Sequence, residues 1–143
     1  MANALYTAAK ENFLTGGIDF ASDTIRMMIV DGADYTPNLA THDFFDDVNG
    51  VATATIGNSG GNARSNGTAL GTKTTTGGVA DAADTTLTSV TGDICEYVLL
   101  FKDVSTDGNS DVMVLFDTMT GLPVTPNGGD ITVSWNASGI FAI

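Results

Sequence analysis

Basic residues are scarce in this chain. Lys10, Arg26, Arg64, Lys73 and Lys102 stand against seventeen Asp and Glu, giving a formal charge of -12 over 143 residues. Nucleic-acid binding draws most of its affinity from Lys and Arg on phosphates, and anionic membrane surfaces attract the same residues. Five scattered cations build no such surface, so neither nucleic acid nor membrane is an expected partner. The single cysteine, Cys95, excludes an internal disulfide, so the fold must stand without staples. No stretch approaches the roughly 18 apolar residues of a membrane span. The single cysteine is compatible with assembly in a reducing cytoplasm, and Met1 to Tyr6 has neither the basic nor the apolar part of a secretory leader. Glutamate is rare as well, Glu11 and Glu96 being the only two. The remaining acid is Asp, a turn and cap residue rather than a helix-surface one, which argues against a helical bundle.

What is present points to β-structure. Hydrophobic residues make up 43% and charged residues only 15%, with Thr, Gly and Asn abundant, which is not the composition of a disordered chain. The length suits one domain with a real core. The one helix expected runs from Asn3, as cap, to Phe13. Leu5, Ala9 and Phe13 form its apolar stripe, and Gly16 and Gly17 end it. Residues 1–17 are thus a helix or an arm, and 18–143 a β domain. Strands are expected at 24–30, 50–56, 73–76, 85–90, 94–102, 112–116 and 131–135, with a last short strand or hydrophobic tail at 140–143 and a short helix at 41–48 capped by Thr41. The run at 57–71, GNSGGNARSNGTALG, reads as a flexible loop, a long hairpin tip or an arm. The fold class expected is mainly β: a single-domain antiparallel sandwich or small barrel with a short N-terminal helix.

Two strands are apolar on both faces. Cys95, Tyr97, Leu99 and Phe101 face one way. Ile94, Val98 and Leu100 face the other, interrupted by Glu96, and 112–116 is similar. A strand with one wet face should alternate, so something covers the second face. The candidates are the N-terminal helix, a second layer or another subunit. The candidate interface residues are Leu5, Ala9, Phe13, Val98, Leu100, Met113 and Leu115.

Catalytic signals are weak. His42 beside Asp43 has no nucleophile elbow to serve, and Asp46 and Asp47 are neighbours that point differently. One His and one Cys make no zinc site. The acidic run 103–111 is dense in oxygen ligands, but counting from Asp107 a calcium-hand loop would need Gly and Glu where Val112 and Thr118 stand. A polar hairpin is the simpler reading, with a calcium site of another type left open. No catalytic residue, metal ligand or cofactor is expected.

Three segments carry a resemblance: DYTPNLATHDF at 34–44, VADA at 79–82 and TGLPVTPNGGDITVSW at 120–135. With the strand before Lys102 and Asp103, they resemble a family of small structural proteins of tailed bacteriophages, in order and spacing over nearly the whole chain. The Gly/Asn insertion at 57–71 departs from that pattern. The resemblance implies a non-enzymatic virion protein. The nearest implied role is a decoration or cement protein on the outer capsid surface. Its partner would be the major capsid protein, and it would be a homo-oligomer, a trimer suiting local threefold positions. A tail or fibre component is the alternative, and a sugar hydrolase a third reading without residues to carry it.

Overall fold

The computed structural model describes residues 3–48, 64 and 67–143. Among the described residues the chain is mainly β, with antiparallel pairing throughout and one α-helix. Its strands are β1 (Ala4–Leu5), β2 (Ile25–Val30), β3 (Thr68–Ala69), β4 (Val79–Ala80), β5 (Thr85–Leu87), β6 (Tyr97–Lys102), β7 (Val112–Phe116), β8 (Ile131–Val133) and β9 (Phe141–Ala142). The helix, α1, is Thr7–Thr15. A five-stranded sheet in the order β1-β7-β6-β2-β3 forms the centre, and two ladders, β4 with β9 and β5 with β8, complete the strands. The expected strand at 50–56 and most of the 57–71 run lie outside the described residues.

The register of the central sheet explains its two-faced strands. Met27 lies opposite Leu100 and Leu100 opposite Val114, so these share a face with Ile25, Ile29, Val98 and Phe116. Met28 lies opposite Leu99 and Leu99 opposite Leu115, so these share the other face with Val30 and Phe101. The chain covers both faces itself. Over the first, Trp135 packs on Phe116 with ring centroids 5.8 Å apart, and Leu87, Ile131 and Val133 of the β5–β8 ladder join the same core. Over the second, Phe45 packs on Phe101 at 4.6 Å. Phe45 belongs to a single 3-10 turn, Phe45–Asp47, whose N–H bonds to Ser110 O at 2.9 Å. The expected helix at 41–48 is therefore one tight turn, held by tertiary contact instead of a Thr41 cap.

Helix α1 starts later than its sequence suggests. Tyr6 is its N-cap residue, and Asn3 caps something else. The Asn3 carboxamide oxygen accepts from the N–H groups of Asp117 and Thr118, and its nitrogen donates to Thr118 O, tying the start of the chain to the end of β7. Gly16 ends the helix at φ +79°, a left-handed conformation that glycine adopts cheaply. Another glycine is demanded by packing. Gly139 has φ +105°, and a Cβ there would stand 2.2 Å from Val79 Cγ1, so the turn into β9 can approach β4 only without a side chain.

Candidate docking surface

The seven candidate interface residues do not share one surface. Val98, Leu100, Met113 and Leu115 are 2%, 0%, 0% and 0% exposed, all within the chain's own core. Leu115, opposite Leu99, also lies on the other face of the sheet from Val98 and Leu100. This corrects the expectation that these four meet a partner. Their pattern demanded a cover, and the 31–48 segment and the 117–135 region supply it from the same chain. Ala9 is buried as well, while Leu5 and Phe13 are half-buried.

Phe13 leads to the surface that remains. Its ring lies 5.8 Å from Phe141, which in turn meets Phe20 edge-on at 5.6 Å. These three rings, with Ile18, Val79 and Ile143, line an open apolar cleft of about 400 Å³ between the C-terminal end of α1 and the β4–β9 ladder. Leu14 on the same helix turn is 83% exposed and Ile143 69% exposed, the two most exposed large apolar side chains of the described residues. The helix end is fixed from below, because Asn12 Nδ2 donates to Asp111 Oδ1 at 2.8 Å. Burial raises the Asp111 carboxyl above its ordinary value, with Lys102 and the Asn12 bond opposing. Sequence reasoning found Phe13 and the apolar tail at 140–143 but missed Leu14, which falls off the i, i+4 stripe. Nothing in the sequence joined the tail to the helix.

The polar candidates are occupied by protein groups. Asp103 Oδ2 accepts from Arg26 Nε at 2.6 Å, while its Oδ1 faces Arg64 Nη1. Arg64 Nε also reaches Asp107 Oδ1 at 2.9 Å. Two guanidiniums thus stand against Asp103 and Asp107 of the 103–111 run. Burial pushes the Asp103 carboxyl up, but the Ser105 N–H and the two arginines outweigh it and hold it below its ordinary value. Among the described residues no group of three His, Cys, Asp or Glu is placed to hold a metal ion. His42 faces Tyr35 and the Asn38 amide, and Asp47 accepts from the Asp43 N–H at 3.0 Å. Cys95 is wholly buried, and burial pushes its thiol up to about 12.

No family model matches the chain, and no curated protein matches it. No helix among the described residues is long and apolar enough to cross a membrane.

Proposed function

We propose that this chain is a non-enzymatic structural protein of a tailed-phage particle, a decoration or cement protein bound to the outer face of the head. The observation that carries the reading is the ordered set of segments at 34–44, 79–82 and 120–135. They span the chain and resemble that family of virion proteins. The apolar cleft beside α1 supports it. A module that grips a shell needs an accessible apolar patch, and Leu14, Ile143 and the rings between them supply the centre of one. A stable contact buries about 1,200–2,000 Å² in total, so polar surface around this patch must take part. The acidic charge lowers affinity for packaged nucleic acid and for free copies of the chain. Binding only the assembled shell would stabilise it by mass action.

The test is a heat challenge of heads lacking the protein, with and without purified chain added back. Added chain is expected to raise the temperature at which heads rupture. Leu14→Asp with Ile143→Asp is expected to abolish that protection. Its own unfolding free energy should stay within about 0.5 kcal/mol, as for exposed sites generally. Equal rupture temperatures with and without the chain would refute cementing. Labelling of intact particles over the tail would replace the head assignment with the tail or fibre one.

A further inference from the structure

Three side chains form a hydrogen-bonded line from the surface into the core. His42 Nδ1 lies 3.3 Å from the backbone nitrogen of Asn38 and 2.8 Å from the Tyr35 hydroxyl. That hydroxyl lies 2.9 Å from the hydroxyl of Tyr6. Tyr6 and Tyr35 are 0% and 1% exposed, and His42 is half-buried.

The backbone amide fixes the direction of the whole line. An N–H only donates, so Nδ1 is an acceptor and the ring proton sits on Nε2. The Tyr35 hydroxyl therefore donates to Nδ1, and its oxygen accepts from Tyr6. Every polar atom in the line is then paired. A second ring proton, on Nδ1, reverses this order. The ring now donates to Tyr35, so three donor protons share two links, and one of the two phenol O–H groups loses its partner. The Asn38 N–H meanwhile faces another N–H. One proton taken up near the surface strands a hydroxyl in the core.

One of these two phenols seats the N-terminal elements. Tyr6 is the N-cap of α1 and its N–H donates to Met113 O at 2.9 Å, while Thr7 N–H donates to Leu39 O at 2.8 Å. We infer that the Tyr6–Tyr35–His42 line is an acid-responsive latch, in which protonation of His42 loosens β1 and α1 from the 31–48 segment and from β7. Histidine is the side chain suited to this, since it ordinarily changes charge within about pH 5–8. The other titratable groups facing the two phenols are Asp47 from the 3-10 turn and Tyr97 from β6. Burial raises both phenols, Tyr35 to about 12, so neither loses its proton in that range.

Amide hydrogen exchange of Tyr6 and Lys10, whose N–H groups bond to Met113 O and Tyr6 O, reads the latch directly. Rates at about pH 7.5 and pH 5.5, corrected for the chemical exchange rate, give the opening equilibrium at each. A stranded buried hydroxyl should raise opening in acid roughly 5- to 150-fold. His42→Asn places an acceptor oxygen close to the Nδ1 position and takes up no proton, so its ratio should be near one. Tyr35→Phe removes the link between ring and core, leaves the Tyr6 hydroxyl unpaired at both values, and should open more readily at both with a much smaller ratio. Asp111, bonded to Asn12 of α1, also titrates in acid, but it is common to all three proteins and cancels in the comparison. A wild-type ratio near one, or an undiminished ratio in His42→Asn, overturns the inference. If His42→Asn does not fold, an undiminished ratio in Tyr35→Phe overturns it instead.

Discussion

Truncating Phe45 to Ala asks whether the second face of the central sheet is truly closed by its own chain. The ring is 0% exposed and sits 4.6 Å from Phe101, tilted by 43°. Removing about 150 Å² of buried apolar side chain at about 25 cal/mol/Å² costs about 4 kcal/mol, and the aromatic pair adds about 1 kcal/mol. Partial collapse around the gap gives some of this back, so the expected loss is about 3–5 kcal/mol, as for other buried Phe→Ala changes. That is a large fraction of the 5–15 kcal/mol typical of a domain. Urea unfolding followed by Trp135 fluorescence measures it, and Phe45→Leu should lose distinctly less. A surviving fold with Phe101 uncovered should also bind a hydrophobic dye. A loss below about 1 kcal/mol, with unchanged dye binding, would refute the claim that this turn seals the sheet.

Four further outcomes follow from the same structure. Gly139→Ala meets both a positive φ and Val79, and should cost about 2–5 kcal/mol by chemical denaturation; adding Val79→Ala should recover only the part due to the clash, because φ +105° strains any side chain there. Arg64→Ala leaves Asp103 with Arg26 alone and should cost about 1–3 kcal/mol at neutral pH, since both side chains are largely buried. Because the Asp103 carboxyl is lowered in the fold, its share of stability is present above the ordinary value near 3.8 and is lost as pH falls below it. Denaturation midpoints of wild type and Arg64→Ala should therefore draw together progressively as pH falls below that value. Cys95 should resist thiol reagents in the native state and react only as fast as the chain unfolds, which a labelling time course in rising urea would show. Trp135 Nε1 is buried without a partner among the described residues, so Trp135→Phe should change stability by no more than about 1 kcal/mol, lost packing offsetting the relief of an orphan donor.

Periodicity was a good guide where strands are long. The reading of 112–116 matches β7 residue for residue, and 24–30 differs from β2 by one residue. The face grouping of Tyr97, Leu99 and Phe101 against Val98 and Leu100 also agrees with the register. Two-residue strands such as β1, β3 and β4 carry no period at all, and exist because a neighbour offers partners at that place. Asn3 looked like a helix cap because Asn followed by an apolar stripe usually is one. Its side chain instead satisfies three backbone groups around Asp117 and Thr118, more than 110 positions away, a choice no local pattern encodes. The same limit governs the candidate surface. An apolar strand announces that it will be covered, yet not whether the cover comes from the same chain. Only the three-dimensional arrangement moves Val98 and Leu100 inward and leaves Leu14 and Ile143 outside.

The pairing of Ala4 with Leu115 has a consequence for how the molecule is made. A ribosome produces the first strand of the central sheet long before the strand it pairs with, and sheets built from such distant partners close slowly. Until residue 116 has left the exit tunnel, Leu5 and Tyr6 lack their partners on β7, and the first strand must wait unpaired. Nascent chains stalled short of that point should leave the N-terminal residues open to protease, and those stalled well beyond it should protect them.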